Sequence, residues 1–348
     1  MNSIRALKYS AVFILPALAL LSFNSTGILT FLPLLYAFVL IPILEQIIGA
    51  DATNLPKAQL ELVKKDRIYD MLLYLIVPVQ WACLIIFLFS LQQEGLTSAD
   101  ITGRTTAMGI LCGVIGINVA HELGHRTTKS EQILAQLLLA SSLYMHFFIE
   151  HNKGHHRNVA TMQDAATARK NESIYRYFPR TIINSFKSAW EITKKERARK
   201  KHAIWSLDNE MIRFMIFQLL LCAAIGFIFS LKILLLFLTA ALIGILLLET
   251  VNYIEHYGLT RSKINEHRLE DVQHKHSWNS DHIIGRLVLF ELTRHSDHHR
   301  EPSKHYQFLE TLNDAPQLPS GYPGMMLLSF FPPIWFRVMN PKIKSDKN

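Results

Sequence analysis

Nine of the 16 histidines in this 348-residue chain fall into four tight groupings: His121 and His125; His151, His155 and His156; a lone His256; and His295, His298 and His299. Spacings of three and four residues put side chains on one face of a helix, so each multi-histidine group is a chelating surface for one or two ions. A single metal takes about four to six ligands. Nine imidazoles therefore suit two metals. Imidazole binds iron, zinc, copper and nickel alike, so ligand type alone does not name the ion. Redox-silent zinc has no use for nine nitrogens, whereas iron can bind and reduce O2. Acids stand beside the histidines at Glu122, Glu150, Glu255 and Asp297. Ligand imidazoles usually donate their second N–H to such groups, which makes these four the expected outer partners. The other seven histidines, His146, His202, His267, His274, His276, His282 and His305, read as surface or packing residues, with His276 and His282 the first exceptions to consider.

His121-Glu-Leu-Gly-His125 also has the zinc-protease form H-E-x-x-H, with Glu122 as general base. That reading uses one cluster and leaves seven clustered histidines idle. A metal carrier or sensor without chemistry is a further alternative. Transporters, however, hold their ligands near the bilayer midplane on broken helices, and here the clusters lie at the ends of apolar stretches and beyond them. Cys83, Cys112 and Cys222 form no C-x-x-C pair and sit in apolar runs, which points to small buried hydrophobes rather than thiolate ligands or disulfides.

The elements that must carry these histidines are apolar. Half of the chain is AVILMFWYC and 18% is charged, which is not a soluble domain's balance. A disordered or nucleic-acid-binding arm is excluded as well, since no basic low-complexity segment accompanies the net charge of +8. A bilayer core asks for about 20 apolar residues in a helix. Stretches of that kind occupy about 6–23, 27–48, 71–91, 105–120, 212–230 and 233–251, the first read as an anchor rather than a removed leader. Glu45 and Glu249, near span ends, are the notable charges.

Lys and Arg orient the spans. The links 24–26, 92–104 and 230–232 hold only Arg104 and Lys232, whereas 51–70 holds four basic residues and 157–211 holds twelve. The basic segments are thus expected in the cytoplasm, with both termini inside. Their charge suits topology, anionic lipid or an acidic partner better than nucleic acid. Parity then constrains a seventh apolar stretch, 133–149. If it crossed fully, the first two histidine clusters would face opposite compartments. It is expected to dip into the membrane and return, or to lie buried against the other helices.

Four segments carry a family resemblance: His121-Glu-Leu-Gly-His125-Arg126, Glu150-His151-Asn-Lys-Gly-His155-His156, Asn252-Tyr-Ile-Glu-His256-Tyr-Gly-Leu259 and Leu292-Thr-Arg-His295-Ser-Asp-His298-His299. Together they resemble the integral-membrane non-haem di-iron alkane 1-monooxygenases, within the wider fatty-acid-desaturase-like superfamily. The third segment separates alkane and xylene monooxygenases from desaturases, and its Glu255 favours the alkane branch over the xylene branch, where Gln is usual. Asn158-Val-Ala-Thr161, Asp164, Ala168-Arg169 and Ile41-Pro42-Ile-Leu-Glu45 extend the match, which runs from about residue 36 to 309. Thr293 in place of the usual Gln, and Arg126 where Lys is common, remove no ligand.

The resemblance implies an all-α polytopic membrane protein of one domain, residues 1–348, with about six spans and a histidine-rich cytoplasmic cap at 121–211 and 252–348. It implies two iron ions on the nine histidines, and the matched motifs add Asp164, Asn252 and Arg294 to the outer partners. It implies terminal hydroxylation of an alkane with O2 and two electrons, in the inner membrane of a bacterium. A related fatty-acyl or alkyl-aromatic hydroxylase or desaturase is the neighbouring alternative. With no C-x-x-C pair in the chain, the electron donor, a rubredoxin or ferredoxin with its reductase, must be a separate protein. Arg157, Arg169, Arg176 and Arg180 could dock such an acidic carrier, with positive-inside topology the leading alternative reading of their charge. Counting back from Pro42, Ala37 matches the family position that limits how deep an alkane enters. Its small side chain favours medium or long alkanes, with Tyr36 and Phe38 beside it.

Overall fold

The computed structural model describes residues 2–266 and 268–343. Among the described residues six helices are long and apolar enough to cross a membrane: Arg5–Phe23, Gly27–Ile48, Ile68–Ser90, Ser98–Gly124, Glu210–Ile228 and Leu231–His256. Apart from helices, the described chain forms a small antiparallel ribbon, Lys263–Asn265 with Arg268–Leu269, and two isolated bridges, Ala50 with His282 and Asn279 with Gln317. The fourth span is 94% buried along its most apolar window and the fifth only 17%. The fourth is therefore the centre of the bundle, and side chains such as Phe227 and Ile47 face outward to where lipid would lie.

That central span begins earlier than the apolar run alone indicates. Thr97 and Asp100 form a reciprocal capping box, Asp100 N donating to Thr97 Oγ1 at 3.2 Å and Thr97 N to Asp100 Oδ2 at 2.9 Å. Arg104, expected in a loop, thus lies inside the helix. It is buried and donates to the Ser90 and Ser25 carbonyls at 2.6 and 2.7 Å, tying down the ends of the third and first spans.

Glycines bring the fourth and sixth spans together. A Cβ on Gly244 would meet Cys112 Cβ at 2.5 Å, and one on Gly109 would meet Ile243 Cβ at 2.6 Å. Small residues at such a crossing let two membrane helices approach closely enough to exchange dispersion contacts along their length. The sixth span then runs unbroken to His256, so its last turn carries Asn252, Glu255 and His256 beside the end of the fourth span.

The 133–149 stretch turns back on itself. A helix over Lys129–Ser141 packs against the third and fourth spans, the chain reverses through Leu143 with φ +54°, and Phe147–Glu150 returns. At the tip, Gln80 Nε2 donates to Ser141 Oγ at 3.1 Å and Ser142 Oγ to the Cys112 carbonyl at 3.1 Å. These polar groups sit at mid-span depth and find partners only in protein. The reversal returns the chain to the side from which it entered, which places His151 near His125.

Three stretches of the bundle are π-helical: Tyr36–Leu40, Cys112–Ile117 and His151–His155. Near the C-terminus, Tyr322–Ser329 and Pro332–Met339 form two short helices. Their buried Trp335 rests on Tyr253 and Tyr257, ring centroids 5.3 Å away in each case, so this segment packs against the end of the sixth span.

Candidate metal centre

His121 lies in the last turn of the fourth span, and His125 is the residue that ends it. The π-helical turn 151–155 brings His151 and His155 round, with His156 directly after. His256 closes the sixth span, and a short helix, His295–Arg300, contributes the last three. The nine converge in two groups: His121, His125, His151, His156 and His298; and His155, His256, His295 and His299.

Within the first group, the Nε2 atoms of His125, His151 and His156 stand 3.0–3.1 Å from one another, and His298 Nε2 is 3.2 Å from that of His156. In the second, Nε2 of His155 is 3.2 Å from His299, His299 is 3.0 Å from His295, and His295 is 3.2 Å from His256. Hydrogen bonds do not account for this packing. Each ring nitrogen is either a donor or an acceptor, so in a triangle of three at least one pair must be like with like. A cation at the centre satisfies every lone pair at once. Metal–nitrogen bonds of about 2.0–2.1 Å place adjacent ligands about 3.0–3.4 Å apart, which is the spacing seen. His121 Nε2, buried and without a hydrogen-bond partner, is a further donor of this kind.

Burial, and then the neighbouring imidazoles, hold His125, His151, His156, His295, His298 and His299 well below the ordinary histidine pKa. They are neutral at pH 7, the form that binds metal. His155 differs. Burial pulls it down, but the carboxylate of Asp164, with those of Glu150 and Glu255, more than offsets burial and raises it. Asp164 lies 3.0–3.1 Å from His155 Nδ1 and also accepts from Thr167 Oγ1 at 2.5 Å, so it fixes which nitrogen of His155 faces inward.

Of the other expected outer partners, several turn elsewhere. Glu122 pairs with Arg126 at 2.9 Å and accepts from Tyr306 N at 3.2 Å. Asn252 donates to Glu249 at 3.2 Å. Arg294 donates to the Leu309 and Thr53 carbonyls, and Asp297 is held by Arg300 and Lys304 at 2.6 and 2.7 Å. Glu150, its pKa raised by burial and then by Asp164, lies against Gly154. Among the described residues none of these five hydrogen-bonds to an imidazole. For Glu122, Glu150 and Asp297 the reason is helical, since a residue next to a ligand points about 100° away from it; Asn252, one turn before His256, instead spends its amide on Glu249. Glu255 is different again. Its Oε1 accepts from Tyr322 Oη at 2.8 Å, while Oε2 stands 3.2 Å from His295 Nε2, on the inward side of the ring.

Sequence reasoning missed one support. The His276 carbonyl lies 3.3 Å from His256 Nδ1, with Ser277 Oγ at 3.5 Å. A backbone acceptor 20 residues away leaves no sequence signal. The His276 ring itself pairs with Glu270 at 3.1 Å, and His282 bonds to Ser280 at 2.9 Å. His146 is buried in the re-entrant turn, His305 meets Arg126, His274 is half-buried and His202 exposed. His267 lies outside the described residues. Arg157, Arg169 and Arg176 are exposed, but Arg180 is tied to Glu172 at 2.6 Å and to two carbonyls, so it braces the cap.

Below the imidazoles opens an apolar cavity enclosing ≈ 910 Å³ of empty space with its mouth included. Tyr36, Ala37 and Phe38 line it, as do Gly113, Val114, Leu247, Leu248 and Val251, and it ends against His121, His151, His295 and Glu255. All three π-helical stretches contribute to its wall, consistent with the frequent use of such bulges at functional sites. A site so built can present a hydrocarbon chain to a pair of metals with water excluded.

Comparison with known proteins points the same way. The family model for fatty acid desaturases matches residues 102–329. Alkane 1-monooxygenase 1 of Alcanivorax borkumensis is 42% identical over 307 residues, covering 88% of this chain and 75% of that protein. Alkane 1-monooxygenase of Ectopseudomonas oleovorans is 41% identical over 318 residues, 91% and 79% of the two chains. The xylene/toluene monooxygenase hydroxylase component of Pseudomonas putida is 26% identical over 279 residues, 79% and 74%.

Proposed function

The chain belongs to the alkane 1-monooxygenase family, and we propose from that membership that it converts medium- or long-chain alkanes to 1-alkanols with O2, two iron ions and electrons from a separate rubredoxin-type carrier. It is a membrane oxidoreductase with a metal site. The observation that carries the reading is the apolar cavity that closes on imidazoles from both histidine groups.

The proposed ligands are His121, His125, His151, His156 and His298 for one iron and His155, His256, His295 and His299 for the other. Iron bound there supplies the activation of O2 needed to break a terminal C–H bond. The chain's own residues do the rest. Leu247, Leu248 and Val251 on the sixth span and Val114 on the fourth give the alkane a wall without hydrogen-bonding groups, so its methyl end alone is directed to the metals. Ala37 leaves room at the level of the second span, which favours longer chains, and Tyr36 and Phe38 bound that space. Asp164 and the His276 carbonyl hold the rings of His155 and His256 in place. Tyr322 orients Glu255 with one oxygen facing the centre. The basic links 51–70 and 157–211 support a cytoplasmic site and termini in a bacterial inner membrane. A protease reading is disfavoured, because Glu122 is engaged by Arg126 and so is not free to act as a base.

A panel of alkanes, fatty acids and xylenes supplied with rubredoxin and its reductase, with products resolved by mass spectrometry, tests the proposal. Primary alcohols from alkanes are expected. A double bond in the product, or benzylic alcohol from xylene with alkanes untouched, would replace it.

A further inference from the structure

We propose that a row of oxidisable rings, Tyr144, Tyr177, Tyr253, Trp335 and Tyr257, carries oxidising equivalents from the metal centre to the surface of the cap when no hydrocarbon is bound. This rests on the oxygenase reading above and adds a second use of the same centre, the reduction of O2 to water with electrons drawn through protein. The row starts behind Phe147, which lines the hydrocarbon cavity and stacks on the His151 ring with centroids 4.7 Å apart. Tyr144 stacks on Phe147 at 6.1 Å, and its hydroxyl donates to Glu249 Oε1 at 2.7 Å. The other oxygen of that carboxylate stands 3.5 Å from Tyr177 Oη. Beyond Tyr177 the rings follow without a break: Tyr253 at 5.2 Å, and against it Trp335 at 5.3 Å and Tyr257 at 5.4 Å. Tyr257 ends the row. Its hydroxyl accepts from Asn171 N and donates to Asn340 Oδ1, each at 2.9 Å, and Asn171 is exposed.

Packing alone does not ask for these side chains. All five are buried, and each tyrosine hydroxyl needs a partner that phenylalanine would not. Glu249 is buried in the sixth span, where a carboxylate is costly and marks function, and its partners Tyr144, Thr181 and Asn252 are not metal ligands. A second tyrosine cluster, Tyr9, Tyr69 and Tyr306, sets no ring against an imidazole among the described residues. An alkane in the cavity takes the oxidising equivalents itself. Without one, Tyr144 gives an electron to the oxidised centre and its phenolic proton to Glu249. Tyr177 returns an electron to Tyr144, whose proton comes back from Glu249 Oε1 as that of Tyr177 passes to Oε2. Tyr257, through Tyr253 and Trp335, re-reduces Tyr177, which recovers its proton, while the proton of Tyr257 leaves to solvent beside Asn171. A soluble thiol restores Tyr257 with an electron and a proton. Two passages, with two electrons from the carrier and two protons, turn O2 and two thiols into two waters and one disulfide.

The test uses the full iron-loaded chain in nanodiscs, without alkane, and hydrogen peroxide, which brings two oxidising equivalents and needs no carrier. Rapid freezing and electron paramagnetic resonance should show a tyrosyl radical, its hyperfine pattern collapsing when ring-deuterated tyrosine is incorporated. Tyr144→Phe keeps the ring and loses the hydroxyl; with iron content unchanged it should abolish the signal, and Tyr306→Phe should leave it. No tyrosyl signal in the wild type, its survival in Tyr144→Phe, or its loss in Tyr306→Phe overturns the row. Mass spectrometry after peroxide should find ligand histidines oxidised in Tyr144→Phe and intact in the wild type. Equal damage in the two would mean that the row drains nothing. Alkane added with the same peroxide tests the oxygenase reading separately. Absence of alcohol would sink that reading alone, because the radical is read without substrate.

Discussion

Replacing Asp164 by Asn should weaken one metal site and spare the other. Asp164 is buried, and its carboxylate reaches His155 Nδ1 at 3.0 and 3.1 Å, Thr167 Oγ1 at 2.5 Å and Ala166 N at 3.3 Å. Asn keeps the size and one acceptor oxygen, so the turn 164–167 persists. What is lost is the negative charge that holds the Nδ1 proton of His155 and turns Nε2 toward His299, 3.2 Å away. Removal of such a partner costs about 10–100-fold in metal affinity, or about 1.4–2.7 kcal/mol. Only His155 in the four-histidine group is held by Asp164, so the loss should fall on that site alone. Titration of metal-free protein with Fe(II) or Co(II), with bound metal counted by mass spectrometry, reads both sites. One dissociation constant should rise by that factor while the other stays within about twofold. Equal weakening of both sites, or of neither, would refute the assignment of Asp164 to His155 and the separation of the two groups.

Gly244→Val adds two methyl groups and a Cβ where Cys112 Cβ is only 2.5 Å from the ideal Cβ position, so the fourth and sixth spans must part. Overpacking of that kind costs about 1–3 kcal/mol, and thermal melting in detergent together with iron content should both fall. Ala37→Trp fills the cavity beside Tyr36 and Phe38. One methylene of misfit is worth about 1–3 kcal/mol, so kcat/KM for the longest accepted alkane should drop at least about tenfold while shorter chains are retained. An unchanged chain-length profile would remove Ala37 from the channel. Glu291 is held below the usual carboxylate range: burial alone would raise it, but Arg286 at 2.6 Å, together with Arg294 and the Tyr9 hydroxyl, more than offsets burial. A depressed carboxylate stabilises above its unfolded pKa of about 4.3 and loses that contribution as pH falls through the folded value. Glu291→Gln should therefore cost about 3 kcal/mol near neutral pH, with the gap in melting temperature closing below about pH 4.

What could be read from the sequence was whatever depends on spacing along a single helix. The pairs His121/His125 and His295/His299 announce themselves because four residues nearly complete a turn. The reversal within 133–149 followed from which side the histidines had to share. Features made by distant backbone were hidden. The His276 carbonyl behind His256 depends on how the cap folds over the spans, whereas the Arg126 that claims Glu122 is an i, i+4 pair that spacing alone could have shown; adjacency to a ligand misleads, since neighbours diverge around a helix. Arg104 looked like a loop charge because nothing local shows the Ser25 and Ser90 carbonyls it caps. The π-helical stretches have no period that hydropathy reveals. They emerge only when the cavity they line is seen whole.

Metal analysis of the purified full-length protein bears most directly on the nine-histidine centre. Two histidine groups predict about two iron ions per chain, with His256→Ala and His298→Ala each removing iron from a different group and abolishing hydroxylation. A single zinc with no iron, or full hydroxylation in both variants, would contradict it.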